Sequence, residues 1–123
     1  MPRKTWYVLD PGHMDRLIVI QTAQVIQGSG GFPSLDWDHA TEQTVWAEWL
    51  PAGTKEAYEA QQRLASYIDG VFHLYDLNPR PAPDNTRVLF DNRIFDTKPW
   101  VEIGRGAGLE LPVVARSEGE VPA

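Results

Sequence analysis

The chain has no cysteine. A disulfide framework and a thiolate metal site are therefore excluded, and the fold must hold by packing alone, which suits a protein made in the cytosol. Long hydrophobic runs are missing as well. The apolar stretch Leu17-Ile18-Val19-Ile20 falls far below the roughly 20 residues that a helix needs to cross a bilayer. The N-terminus lacks the basic region and apolar core of a secretory signal, so a soluble, non-exported protein without membrane contact is expected. Positive charge is scarce: 11 Lys and Arg against 17 Asp and Glu leave a net charge of -6. That is the wrong sign for a chain that grips nucleic-acid phosphates, so any DNA nearby is met without adhesion.

What is present fits one domain, since 123 residues at 42% apolar content suffice for a single modest core. The most informative segment covers residues 44–62. It reads as a strand, a tight turn at Pro51-Ala52-Gly53, and a short helix capped by Thr54 that ends near residue 65. This helix has little apolar surface and should face water, a neighbouring subunit or a channel. Upstream, residues 17–26 are rich in β-branched side chains, and Gln21, Thr22 and Gln24 would scatter around a helix, so a strand is expected. Residues 28–34 read as a flexible Gly-rich connection. Residues 41–50 then alternate Val45, Ala47 and Trp49 against Trp46, Glu48 and Leu50, giving a long hairpin with a mobile tip.

The remaining chain is punctuated by turns. Residues 4–9 form a short strand ended by Asp10-Pro11-Gly12, within an arm whose Trp6 and Tyr7 are available for docking. Residues 71–77 alternate as a strand, and the prolines of residues 78–85 make an extended loop. Residues 87–90 and 93–95 pair around Asp91-Asn92, which tolerates the positive φ of a two-residue hairpin. Residues 100–103 and 109–114 pair around a Gly-rich turn, and disorder is expected from residue 117. Many short strands and one helix define the fold class: mainly β, a small antiparallel β-barrel with one short α-helix and long loops.

Candidate chemistry is thin. Asp36-Trp37-Asp38-His39-Ala40-Thr41-Glu42 has metal-ligand residue types but no recognised ligand spacing, so it reads as a polar loop. His13, His39 and His73 are scattered, and no base stands beside a nucleophile, so neither enzyme activity nor a metal or other cofactor is expected. Gly104-Arg105-Gly106-Ala107-Gly108 lacks the following helix that a phosphate-binding loop requires and reads as a hairpin turn. Arg93, Lys98 and Arg105 could form a small basic edge suited to an acidic neighbour. Trp37, Trp46, Trp49 and Trp100 are core residues by default. Trp46 and Trp49, however, fall on opposite faces of one strand, so one of them is a candidate for an interface.

Taken in order, Arg16-Leu17-Ile18-Val19-Ile20-Gln21, the pair Gly30-Gly31, Trp37, Val45-Trp46-Ala47-Glu48, Pro51, Glu56 and Ala60-Gln61-Gln62 form a pattern. It continues through residues 87–96, Gly104-Arg105-Gly106 and Leu109-Glu110-Leu111. Over residues 15–115 this pattern resembles the head-tail joining family of tailed bacteriophages, the head-completion or stopper proteins. The resemblance implies an arm at 1–15, a head-tail joining barrel at 16–115 and a flexible tail at 116–123. It also implies a virion protein, made in the host cytoplasm, that assembles with itself into a ring, a dodecamer, at the head-tail interface. Such a ring sits beneath the portal-associated adaptor protein, closes the channel after packaging, presents a docking face to the tail terminator protein, and lets genomic DNA pass without specific binding.

By the same resemblance, Pro51, Thr54, Glu56, Glu59, Gln61 and Gln62 would form the channel or stopper segment. Phe32, Trp37, Trp46, Trp49 and Arg93 would contact subunits or the adaptor, and the long loop at residues 27–41 would reach a neighbour. The arm is longer than the usual lead-in, and the Pro-rich loop follows no assignable pattern. A different class of protein also accommodates the acidic barrel, namely an interaction module that binds or inhibits a host protein.

Overall fold

β1 (Arg16–Gln27) sends Ile18 and Ile20 inward and leaves Leu17 half exposed. The same period of two runs through β2 (Pro33–Pro51), where Val45, Ala47 and Trp49 face the core and Trp46 faces out. The computed structural model describes residues 11–27, 29–77, 80–104 and 106–116. After β2 come helix α1 (Lys55–Leu64), β3 (Gly70–Tyr75), β4 (Thr86–Phe90), β5 (Arg93–Thr97), β6 (Val101–Ile103) and β7 (Gly108–Ala115).

All strand pairings are antiparallel, in the order β3-β2-β1-β4-β5-β7-β6, and β3 also pairs with β7. The second pairing closes the sheet on itself, with β6 beside β7 outside the closed ring. A closed sheet hides its edges and encloses one core, in agreement with the antiparallel barrel expected from the sequence. Ile18, Ile20, Phe72, Leu74, Val88, Leu109, Leu111 and Val113 fill the interior. Trp49, Phe72, Phe90 and Phe95 form an aromatic cluster at one part of it, with Trp49 and Phe72 ring centroids 4.7 Å apart. Between β4 and β5, Asp91 and Asn92 adopt φ of 55° and 59°, the left-handed pair that a tight hairpin turn demands.

Outside the closed sheet lies α1. Thr54 Oγ1 accepts from the Ala57 amide at 3.3 Å, and Ala65 ends the helix in the left-handed conformation. Its packing face is made of small residues: Ala60 seats against Ile68 and Val71, with Leu50, Leu64 and Val114 around them. Alanine lets the helix lie close to the strands, so a scarcely apolar helix still has one buried side.

The sequence reading of a long loop is corrected at residues 33–41. These are not a loop: after a turn at Ser29–Gly31, β2 begins at Pro33 and pairs with the distal half of β1, Gln24 to Gln27 opposite Asp36 to Pro33. β4 accompanies β1 only from Val19 to Thr22, so this distal pairing is a two-stranded ribbon standing off the barrel. The stretch read as a polar loop at residues 36–42 also belongs to β2, where Trp37 to Ala40 bulge between the pairs Gln24–Asp36 and Thr22–Thr41. Residues 4–9, Trp6 and Tyr7, Asn78 and Pro79, Arg105 and the tail from 117 lie outside the described residues.

Candidate assembly surfaces

The first surface is the turn and helix at residues 51–64. Gly53 has φ of 102°, a conformation that L side chains rarely adopt, and it carries the chain from Pro51 to the cap. Thr54 Oγ1 also donates to the Pro51 carbonyl at 2.8 Å, which locks the turn. The loop after the helix is held by Asp69, whose Oδ2 accepts from the Ala115 amide at 2.6 Å and whose carbonyl accepts from the Ala52 amide at 2.8 Å. The Tyr67 hydroxyl donates to Asp69 Oδ1 at 2.8 Å, and this bond to a carboxylate pushes the phenol pKa up.

Of the residues expected in the channel segment, Pro51 and Gln62 are exposed, while Thr54, Glu56, Glu59 and Gln61 are half-buried. Gln61 Oε1 accepts from the Ile68 amide at 3.4 Å, and Gln62 Nε2 donates to the Tyr58 hydroxyl at 2.9 Å. At the far end of α1, Arg63 reaches buried Glu110 at 3.7 Å. Glu110 begins a cross-strand row with His73 at its middle: His73 Nε2 lies 3.3 Å from Glu110, His73 Nδ1 lies 3.8 Å from Glu48, and His13 approaches Glu48 at 4.0 Å. These groups lie in a row along neighbouring strands and pair with one another. Among the described residues no group of three or more His, Cys, Asp or Glu is arranged to hold a metal ion. On the helix, Glu59 and Arg63 stand one turn apart, a favourable spacing legible from the sequence, whereas the approach of Arg63 to Glu110 could be found only once β3 and β7 were known to be adjacent.

The second surface is the ribbon and the barrel wall below it. Phe32, at its tip, is 77% exposed, and Val25, Ile26 and Leu35 are exposed as well. Trp37 is not free: Arg87 stacks its guanidinium 4.0 Å from the ring centroid, and Arg87 Nε donates to Gln21 Oε1 at 2.7 Å. Gln21 Nε2 in turn donates to Glu42 at 2.6 Å, so one polar row braces the bulge. Burial lowers the Arg87 pKa, and the charge of Arg116 adds to that. Further out, His39 Nδ1 lies 2.7 Å from Asp36, a pairing that raises the His39 pKa and lowers that of Asp36.

The two strand tryptophans part as their spacing requires. Trp46 is 57% exposed, whereas Trp49 turns inward to the aromatic cluster, which corrects its place among the candidate interface residues. Arg93 is exposed, with its guanidinium 5.3 Å from the Phe95 ring centroid. Leu17 and Tyr75, both about half exposed, share the outer wall with Trp46. They were legible only as members of strands.

The chain is thus a small closed antiparallel barrel with an outer helix and a projecting ribbon that exposes apolar side chains. The sequence model of the phage head completion protein family matches residues 9–116, so the chain belongs to that family. This is a structural family, whose members are virion components of the head-tail region. A search of curated proteins finds no match.

Proposed function

We propose that this chain forms the ring that completes the phage head: it closes the portal channel after DNA packaging and offers the tail its docking surface. The family match over residues 9–116 carries this reading. The geometry supports a division of labour. Pro51, Thr54, Glu56, Glu59, Gln61 and Gln62 lie on one rigid turn and helix outside the barrel, and their side chains are polar apart from Pro51. Carboxylates on such a segment repel DNA phosphates, so a channel lined by it lets the genome slide without sticking.

Phe32, Trp46 and Arg93 carry contacts to the neighbouring subunit or to the portal-associated adaptor, Trp37 braces the ribbon, and Trp49 supports the wall from inside. The ring is a dodecamer by its likeness to the family, with the tail terminator protein on its other face. Deleting the gene from the producing phage tests this. Electron microscopy should find tailless heads that have lost their DNA beside free, complete tails. Normal tailed particles with full heads would overturn the proposal.

A further inference from the structure

Residues 17–35 carry no charged side chain, although the chain as a whole has a net charge of -6. The distal part of that stretch is the ribbon, where Val25, Ile26 and Leu35 stand exposed and Phe32, at the tip, is the most exposed of all. Elsewhere on the same chain an apolar groove of about 640 Å³ opens between Met14, Val45, Trp46, Tyr75 and Leu77. Trp46 and Tyr75 are half exposed there. Both carboxylates on the groove have an arginine beside them: Asp76 accepts from Arg80 Nε at 2.8 Å and from its Nη2 at 2.9 Å, and Asp15 lies 3.7 Å from Arg16. One chain thus presents a neutral apolar projection and a charge-balanced apolar recess.

We propose that the ribbon tip of one subunit, led by Phe32, seats in the groove beside Trp46 and Tyr75 of the next copy of this chain. The inference rests on the ring proposed above and names the contact that builds it. Three observations select a second copy as the occupant. The tip does not meet its own groove: Val45 pairs with Ile18 and Pro33 with Gln27, nine residues further along β1. At about 3.3 Å per residue that separation is roughly 30 Å. Charge favours the ribbon as the part that enters. Copies of an acidic chain repel where their carboxylates face one another, and the uncharged ribbon approaches without that cost, while Arg16 and Arg80 balance the carboxylates that receive it. The recess also has the capacity for an aromatic anchor, since cavities of about 300–1,000 Å³ take ligand-sized bodies. Tip and groove are different patches of one chain, so the contact is head-to-tail, the kind that closes into a ring instead of stopping at a two-fold dimer.

Because the chain has no cysteine, introduced thiols report this contact alone. The test places Ser34→Cys on the ribbon and Asp15→Cys at the groove, both exposed positions away from the core, and treats purified particles with a short bis-maleimide cross-linker. The double variant should give a ladder of linked multimers on a denaturing gel. Each single variant should stay monomeric, because a head-to-tail contact joins unlike positions. Leu35→Cys with Tyr75→Cys repeats the measurement at a second pair of exposed positions and should give the same ladder. Tailed particles in which both double variants stay monomeric would overturn the contact while leaving the ring, and the groove would fall to another virion protein. Dimers from a single variant would overturn it in favour of a two-fold contact. Failure of the ring itself is told apart by the gene deletion, where normal tailed particles would remove both readings.

Discussion

Replacing Trp49 and Trp46 one at a time by alanine tests the barrel assignment most sharply. Trp49 lies 4.7 Å from the Phe72 ring centroid, 5.6 Å from Phe90 and 5.8 Å from Phe95, so its removal opens a cavity shared by three other rings. Deleting a large aromatic side chain from a core costs about 3–5 kcal/mol, and because Trp49 is only partly buried the lower figure applies, about 3 kcal/mol. Small domains have about 5–15 kcal/mol in total, so the variant should fold but with its urea midpoint lowered by roughly 1–2 M. Trp46, on the other face and 57% exposed, should cost less than about 1 kcal/mol. Urea unfolding followed by circular dichroism measures both. Head-to-tail joining in particles should then fail for Trp46→Ala even though that protein is stable. Equal midpoint losses for the two variants would refute the inward and outward assignment.

Three other outcomes are expected. Gly70→Ala would place a Cβ 2.5 Å from the Trp49 ring and 2.7 Å from the Leu50 carbonyl oxygen, and the backbone cannot yield as a side chain can, so a loss of about 2–3 kcal/mol should appear in the same urea assay. Glu56→Lys with Glu59→Lys should leave the free protein within about 1 kcal/mol of wild type, the cost of a cation near a helix N-terminus, yet disturb DNA retention or ejection; ejection at the wild-type rate and titre would remove the main support for the channel role. The His39 pKa should lie above the ordinary imidazole value, chiefly because the Asp36 carboxylate holds the protonated ring, and Asp36→Asn should lower it in an NMR titration; an unchanged value would refute the pairing. The sign follows: the pairing steadies the bulge below the ordinary imidazole pKa and is lost as pH rises through the raised one, while on the acid side it fails as Asp36 is protonated.

Much of the barrel was legible because its walls obey a period of two. Val45, Ala47 and Trp49 against Trp46 and Glu48 identified both the strand and its inner face, and Asp91-Asn92 marked the hairpin by a backbone conformation that few other residue pairs accept. The helix was found from its cap. What escaped was pairing between distant segments: nothing local shows that Glu48, His73 and Glu110 stand side by side, or that Arg63 closes on them, because those contacts depend on β3 lying between β2 and β7.

The ribbon escaped for a different reason, one that bears on function. Alternation between apolar and polar residues signals a strand only when one face meets a core, and beyond buried Ala23 the distal residues of β1, Gln24 to Gln27, are all exposed. Gln24, Val25, Ile26 and Gln27 therefore carry no period, and Ser34, Leu35, Asp36 and Trp37 carry none either, so their strand character was hidden. Selection for folding explains Ile18 and Ile20, which the barrel buries, but it gives no reason for an exposed Val25, Ile26, Phe32 and Leu35 on a standing ribbon. Apolar side chains that cost solubility and add little to the core are explained by contact with another protein. In a family of virion components of the head-tail region, the proposed function assigns that contact to the neighbouring subunit or to the adaptor.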